Sequence, residues 1–419
     1  MSHRTRRSVV NTPSLLCLLA VIGVGYSGAA AQQTSDLSLG IEDVESFARS
    51  NSPHLRIAAL EVDIVESERQ SALTWSNPAL AYDHEEADSF REWQFTLQKR
   101  VDRPFARGSL RNAWNGRVRA AELNSLQATG DLVAGLKAGY VHVRLIESHL
   151  GRLDRLAGLV DIAAGVAGSR HAEGELSGLD RRLIQLAAYT IETAQNGARS
   201  QFEQLRASWR ADMGIDASRR LTLATPVAFR PVDLEVIGAY RTNLASMPGD
   251  QAQVELAQAL GAQADAARPG LIPGFGVYGG YKRFDSDLAG FVAGVAVDLP
   301  LFDLGRGEAE RLQAERLVVE NALIIDRMRR EGEVAALVTS LRAAQPLLAK
   351  FVEDFDQNAL ADALLLSYRE GAITLDELLG AIQIEAAALE AHSTELATYF
   401  LNIFRLEALT GVKLVNFAP

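Results

Sequence analysis

The sequence VDLPLFDLGRGEAE, residues 297–310, marks the point at which a strand-like segment passes into a long helical one. Before it, apolar residues alternate with other residues over 290–299, a pattern that predicts a β-strand with two different sides. After it, the chain is rich in Ala, Glu, Leu and Arg, which favour a helix. A related sequence, VDRPFARG, occupies residues 101–108, so that the Val-Asp-x-Pro pattern occurs twice, at an offset of 196 residues.

Two other pairs of segments recur in the same order. GELSGLD begins at Gly174 and GAITLDE begins at Gly371, an offset of 197 residues. Upstream, NPALAYDHEE from Asn77 and IPGFGVYGGY from Ile272 occupy corresponding places. Three pairs of segments at a nearly constant offset indicate an internal duplication. The chain is therefore divided into a leading segment, 1–31, and two repeats, 32–230 and 231–419.

Each repeat has the same predicted order: a helix, a hairpin of two strands, a very long helix and a returning helix. The first repeat is predicted to contain a helix over 41–73 broken at Asn51-Ser52-Pro53, strands at about 79–85 and 93–101, and helices over 108–170 and 179–213. The second is predicted to contain a helix over 234–267 broken at Met247-Pro248-Gly249, strands at about 274–283 and 290–299, and helices over 305–369, interrupted at Pro346, and 375–409. The charged segments 86–91 and 284–288 are predicted as loops, and residues 171–180 and 368–377 as the two helix tips.

The predicted lengths point towards a membrane-associated tube. Each strand is close to the ~9–11 residues that cross an outer membrane. The helix over 108–170 has a length on the order of 90 Å, deeper than an ordinary globular core. Its apolar residues recur at spacings of four and three, which is typical of a coiled-coil seam: Ile146, Leu150, Leu153, Ala157 and Val160.

The N-terminal segment has the pattern of a secretory signal peptide. Arginines at 4, 6 and 7 precede an apolar run over 15–24, and alanines at 29–31 favour cleavage after Ala31. The single cysteine, Cys17, lies inside this segment, so the mature chain is predicted to contain no disulfide. Lipid attachment at Cys17 is an open alternative, although Leu16 stands where a lipoprotein signal favours a small residue.

Composition excludes several classes of function. A net charge of -11 argues against a nucleic-acid partner, because a polyanion would be repelled. We find no zinc-type ligand set, nucleophile elbow or phosphate-binding glycine loop in the sequence, and we predict no catalytic residues, cofactor or metal site. The cluster Asp83, His84, Glu85, Glu86 and Asp88 could bind a divalent cation, but a charged hairpin of this kind is more often simply hydrated.

Four strands cannot close a barrel, for which about eight is the lower limit. An open sheet in lipid would leave backbone groups unpaired, so several copies must share one barrel. The long helices then extend from the membrane as a tube, and a barrel continued by a tube is a conduit. This reasoning leaves the number of copies open.

Three motifs resemble those of the TolC family of outer-membrane efflux factors: VDLPLFDLGRGEAE, AEGELSGLD and YREGAITLDEL. The resemblance covers nearly all of the mature chain. It implies a mainly α fold with a small β part, in which a homotrimer shares a twelve-stranded barrel in outer-membrane lipid, continued by a coiled-coil tunnel across the periplasm of a Gram-negative bacterium. It also implies docking to a periplasmic adaptor (membrane fusion) protein and to an inner-membrane pump of the proton-driven RND type.

The segment NPALAYDHEEAD, residues 77–88, is similar to the cobalt–zinc–cadmium branch of that family, although the Gly-Lys-Arg motif usual after the second strand is replaced here by QKRVDRPFARGSLR. Heavy-metal cations are therefore the first substrate class to consider for a passive duct that is not an enzyme. A duct for drugs or secreted polypeptides, and a periplasmic coiled-coil scaffold, are the alternatives.

The resemblance also implies a gate at the helix tips. Carried over to this chain, Asp180 would accept a hydrogen bond from Tyr368, and three copies of Glu377 would crowd near the tunnel axis. Ile373 stands where the family usually has a basic residue. The residues expected to contact the adaptor are Gly174, Glu175, Leu176, Ser177, Gly371, Ala372, Ile373 and Thr374.

Overall fold

The structure is a computed structural model that describes residues 36–88, 90–101, 106–174, 177–239, 247–268, 274–284, 288–298, 305–354 and 357–417. The predicted signal peptide, Cys17, and two predicted tip residues, Glu175 and Leu176, lie outside these ranges. The elements are β1 (Leu37–Leu39), α1 (Asp43–Asn51), α2 (Pro53–Leu73), β2 (Ala79–Ala87), β3 (Phe90–Val101), α3 (Arg107–Ala172), α4 (Gly178–Met213), β4 (Leu221–Leu223), α5 (Pro248–Ala267), β5 (Gly274–Phe284), β6 (Ala289–Asp298), α6 (Arg306–Asp354), α7 (Gln357–Arg369) and α8 (Leu375–Thr410). A short 3-10 helix spans Glu235–Ala239.

The predicted fold class, mainly helical with a small sheet, is confirmed. The predicted break in the first helix is present, because Ser52 is extended and Pro53 starts α2, where proline loses no helical hydrogen bond. Pro248 starts α5 in the same way after an extended Met247. The repeat boundary at residue 230 stays a prediction.

The longest helix, α3, contains 66 residues and is therefore about 100 Å long. Its predicted seam is buried at Ile146, Leu153 and Val160. The predicted interruption at Pro346 was wrong, since α6 continues through this residue to Asp354. Buried Leu341 and Leu348 lie on either side of the proline, and their packing offsets the missing backbone hydrogen bond.

The strands form an antiparallel sheet in the order β2-β3-β5-β6. The first predicted loop was too long, because β2 and β3 pair as far as Glu86 with Arg91 and Ala87 with Phe90. Arg91 Nη2 donates to Glu86 Oε1 at 2.5 Å, and this cross-strand pair of opposite charges stabilises the end of the hairpin. A second, parallel pair of short strands, β1 and β4, was not predicted.

The helices follow the order of the strands. Helix α2 packs on α3, α3 on α5, and α5 on α6. One junction is an ionic clamp: the buried Asp250 of α5 accepts from Arg327 Nε and from Arg330 Nη1 of α6, each at 2.7 Å. The four elements that continue the four strands therefore lie side by side, with α2 and α6 outermost.

Two hydrophobic clusters lie at different levels of the helices. We call the first cluster the belt core; it joins α3, α4 and α8 to β1, β4 and Phe417 near the C-terminus. Within it, the Tyr140 hydroxyl accepts from the Thr225 backbone N–H at 2.8 Å and donates to the carbonyl oxygen of Leu39 at 3.2 Å. We call the second cluster the tip core, because it lies nearer the helix tips. It joins α3, α4, α7 and α8 through residues that include Leu156, Val160, Ile184, Tyr368 and Ile382.

No helix in the described part of the chain combines the length and the apolar character that crossing a membrane requires.

Candidate channel wall and helix tips

One face of the four-stranded sheet carries a band of apolar residues, with charged residues and His84 towards the strand ends. Tyr82, Phe95, Tyr281 and Phe291 pair in register and form one aromatic row across all four strands. Ring centres are 4.8 Å apart for Tyr82 and Phe95, and 6.0 Å apart for Tyr281 and Phe291. Phe291 is 92% exposed in the single chain. The same face carries other exposed apolar residues, namely Leu80, Leu97, Phe275, Val277, Val295 and Val297.

The opposite face is mainly polar or carries glycine and alanine, with Tyr278 and Val292 among its larger apolar residues. Gln94, Thr96 and Gln98 alternate on β3 with the apolar residues of the other face. On this polar face Lys282 forms an ion pair with Glu92 across the β3–β5 pair. A sheet with one apolar and one polar face suits a wall between lipid and an aqueous lumen.

The acidic and histidine residues considered above as a divalent-cation site, at 83–88, are not brought together by the hairpin. Along β2, Asp83 and Glu85 point to one face, whereas His84 and Glu86 point to the other, because side chains alternate along a strand. His84 Nδ1 lies 3.0 Å from the carbonyl oxygen of Glu92. Among the described residues no group of three or more acidic, histidine or cysteine side chains is placed to hold a metal ion.

Apolar residues are also exposed on the two outermost helices. On α2, Ile57, Leu60 and Ile64 recur at helical spacing and are 54%, 51% and 56% exposed. On α6 the exposed apolar residues are Leu317, Val318, Ile324, Ile325 and Met328. In the described part of the chain, β2 and β6 likewise have a strand neighbour on one side only. At each edge of the molecule, therefore, one described strand has a free side, and the helix beside it has an exposed apolar face.

The two helix tips turn at glycines with positive φ, as the reversal of a helix favours. Gly174 has φ +81° and follows α3, while Gly371 has φ +73° and follows α7. The Ala372 backbone N–H donates to the Ser367 carbonyl at 2.8 Å and closes the end of α7. Ser177, Ala372 and Thr374 are exposed at these turns, whereas Ile373 packs partly against the tip core.

The predicted gate acids are the third residues of two equivalent capping boxes, a role that we did not predict. Asp180 accepts from the Ser177 N–H at 3.0 Å and from its hydroxyl at 2.8 Å. Glu377 accepts from the Thr374 N–H at 2.7 Å and from its hydroxyl at 2.9 Å. These bonds, led by the one from the backbone, lower the pKa of Glu377. The motifs SGLD and TLDE carried the signal, since Ser or Thr followed three residues later by an acid is typical of a helix start.

Tyr368 is buried in the tip core, and its hydroxyl has no hydrogen-bond partner among the described residues. Burial raises the pKa of Tyr368, and the nearby Asp180 carboxylate raises it further, while Arg170 opposes the rise. The single chain does not form the predicted hydrogen bond between Tyr368 and Asp180, because the Asp180 carboxylate is directed to its own helix start.

Arg170 is a tip residue that sequence reasoning missed. Its guanidinium lies 5.3 Å from the centre of the Tyr368 ring, and Nη2 donates to the Arg369 carbonyl at 3.3 Å. A cation beside the last carbonyls of α7 is favoured by the helix dipole. Arg170 therefore supplies a basic contact at the second tip from the first repeat.

Solved structures resemble this chain over most of its length. The Campylobacter jejuni CmeC outer membrane channel matches with a TM-score of 0.71 and 13% identity, covering 88% of this chain and 85% of that one. The Vibrio cholerae outer membrane protein VceC matches with a TM-score of 0.69 and 17% identity, covering 88% and 96%. CusC, described as forming a transmembrane channel, matches with a TM-score of 0.70 and 15% identity, covering 88% and 91%.

No protein-family model matches the chain, and a search of curated proteins finds no similar sequence. The likeness therefore comes from structure at low sequence identity. The chain has the fold of these outer-membrane channel proteins.

Proposed function

We propose that this chain is one subunit of an outer-membrane exit duct of a tripartite efflux system. The observation that supports this most directly is the four-stranded sheet with one apolar and one polar face, continued by helices about 100 Å long. An apolar face of this kind is favourable against lipid, and the polar face is favourable against water. The likeness to outer-membrane channels supports the same role.

The wall is completed by further copies of the chain. Four strands are too few, since the smallest closed barrels have about eight. In a homotrimer, β2 of one copy pairs with β6 of the next and twelve strands close the barrel. Because helix order follows strand order, this pairing also brings α2 of one copy beside α6 of the next. The apolar residues exposed on both helices then become buried, which favours assembly.

The gate lies at the helix tips, where Asp180, Tyr368 and Glu377 act together. The Tyr368 hydroxyl is buried near Asp180 and has no partner among the described residues, so a small rotation of the tip could join the two groups in the closed assembly. Glu377 keeps its negative charge, because the capping box lowers its pKa. Three such carboxylates near the axis attract cations and repel one another.

The tips are also the surface for a periplasmic adaptor. The described residues of this surface are Gly174, Ser177, Gly371, Ala372, Ile373 and Thr374. An inner-membrane pump supplies the energy, and the duct itself is passive rather than enzymatic. The cargo is a small toxic solute, and heavy-metal cations are the first class to test.

Reconstitution into planar lipid bilayers tests the channel. Purified protein should migrate as a heat-modifiable oligomer and produce discrete conductance steps. Protein that is released from membranes by salt alone, and forms no pores, would instead indicate a periplasmic scaffold. Growth of a deletion strain across a panel of metals and drugs then identifies the cargo, and unchanged tolerance to zinc, cobalt and cadmium would exclude those metals.

A further inference from the structure

Between its two hydrophobic cores the helical wall contains an interval, which we call the polar interval, in which polar side chains lie beside the buried Ile146 and Leu153. On α3 the belt core ends at Leu145 and the tip core begins at Leu156. On α8, which runs in the opposite direction, the tip core ends at Leu389 and the belt core begins at Leu396. The interval between them contains His149, Arg152, Glu390, His392, Ser393 and Thr394.

The interval also contains a cavity of about 430 Å³, lined by residues of α3, α4 and α8 that include His142, His149, Gly197, Gln201, Glu390 and Thr394. Side chains along such a cavity make fewer dispersion contacts across the helices than side chains in a filled core.

Two imidazoles are held in this interval in an unfavourable setting. The Nδ1 atoms of His149 and His392 are buried, and neither has a hydrogen-bond partner among the described residues. The His392 ring stacks on Phe351 of α6, with ring centres 3.9 Å apart and planes at 11°. An unsatisfied buried polar atom costs stability, so these two imidazoles weaken the closed arrangement of the helices.

We propose that residues 146–155 of α3 and 390–395 of α8 form an acid-sensitive joint, at which these two helices move apart when the two histidines are protonated. This inference concerns the folded chain and does not depend on the proposed channel activity. No ligand or partner is required for it.

The charges around the histidines set the sign of the response. Burial, reinforced by Arg152 of α3, lowers the pKa of His392 to about 4. Burial also lowers the pKa of His149, with Glu390 of α8 opposing and Arg152 of α3 reinforcing the change. His142 of α3 lines the same cavity, and burial lowers its pKa in the same direction. From the other packed helices, α6 presents the Phe351 ring and α4 presents Gly197 and Gln201.

A histidine whose folded pKa is depressed binds its proton more readily when the chain opens. The closed joint is therefore stable at neutral pH and loses stability as pH falls from the ordinary histidine value of 6.5 towards about 4. Glu385, nearer the tip, titrates in the opposite sense, since burial raises its pKa and acid favours its neutral form. A Glu385→Gln variant should consequently retain the acid response of the joint.

Hydrogen–deuterium exchange on the full-length protein in detergent tests the proposal. After correction for chemical exchange, amides of 146–155 and 390–395 should exchange about ten times faster at about pH 5 than at about pH 7.5, with 110–120, far from the joint on α3, unchanged. A His149→Gln/His392→Gln variant should lose this difference, while His54→Gln, outside the joint, should keep it. Equal protection at both pH values, or an unchanged response in the double variant, would overturn the proposal.

A second variant covers the case in which the double substitution misfolds. Phe351→Leu keeps both histidines but removes the ring on which His392 stacks. It should increase exchange of 390–395 already at about pH 7.5 by severalfold, with belt amides still protected. Unaltered exchange in this variant would likewise contradict a weak joint at this level.

Discussion

The guanidinium of Arg170 and the ring of Tyr368, 198 residues apart in the chain, are in cation–π contact with 5.3 Å between the guanidinium carbon and the ring centre. The contact joins the end of α3 in the first repeat to the end of α7 in the second. It also places a positive charge beside the buried phenol and near Asp180. The two tips are thus coupled by a residue that belongs to neither turn.

Arg170→Ala should loosen this coupling. A cation–π contact at a partly exposed site contributes about 0.5–1 kcal/mol, so global stability should change little while the tip becomes more mobile. Limited proteolysis and exchange of 364–374 measure the effect. Arg119→Ala, exposed on the same helix and far from the turn, provides a comparison, and equal protection of the tip in Arg170→Ala and the parent would argue against the coupling.

The proposed latch predicts a functional effect of removing both of its groups. Asp180→Ala combined with Tyr368→Phe should increase the open fraction of single channels, because the closed tip loses its hydrogen bond. Asp161→Ala, an exposed acid of α3, serves as the control for loss of charge alone. A double variant that conducts like the parent would rule out the latch.

The capping boxes predict a pH dependence of the tip. Because the folded pKa of Glu377 is lowered, its contribution to stability is present above the unfolded value of 4.5 and is lost as pH falls below it. Thr374→Ala should cost about 1 kcal/mol at neutral pH by removing the helix cap. In Glu377→Gln the midpoint temperature of thermal unfolding should fall less at acid pH than in the parent. In Asp376→Asn, a change outside the capping box, it should fall as much as in the parent.

The ionic clamp between α5 and α6 predicts a large loss of stability. Asp250→Asn leaves Arg327 and Arg330 without their carboxylate, and we expect a cost of about 2–3 kcal/mol because Arg327 remains partly hydrated. Thermal unfolding in detergent measures the change. Asp265→Asn, exposed on the same helix, should leave the midpoint nearly unaltered.

The two faces of the sheet predict opposite tolerance to charge. Phe95→Arg places a cation on the apolar face at mid-strand and should cost about 2–4 kcal/mol of membrane stability. Gln94→Arg, one residue earlier on the polar face, should insert normally. Folding into lipid vesicles, followed by protection from protease, compares the two, and similar insertion would contradict the assignment of lipid and lumen faces.

Apolar periodicity and helix-breaking residues predicted most of the helices and strands. Proline at 53 and 248 and glycine at 174 and 371 restrict where a helix can begin or end. Pro346 misled this reasoning, since packing on both sides carries α6 through it. The hairpin end at Glu86 and Arg91 was also misread, because charge alone does not distinguish a loop from a cross-strand ion pair.

The candidate site was less accessible to sequence reasoning. Asp180 and Glu377 could have been identified as capping residues from their spacing to Ser177 and Thr374. The contact of Arg170 with Tyr368 could not, because it depends on how two helices from different repeats are brought together. Nor does the sequence reveal the polar interval around His149 and His392, which depends on where two hydrophobic cores end.

The strand order β2-β3-β5-β6 has a genetic consequence if copies join edge to edge. Each copy offers one edge to each of two neighbours, so a chain that lacks β6 could still join a ring but could not close it. A chain that lacks β6 would therefore act as a dominant-negative subunit when it is expressed together with the intact chain. In a ring of three, the yield of complete assemblies would fall steeply, roughly as the third power of the intact fraction.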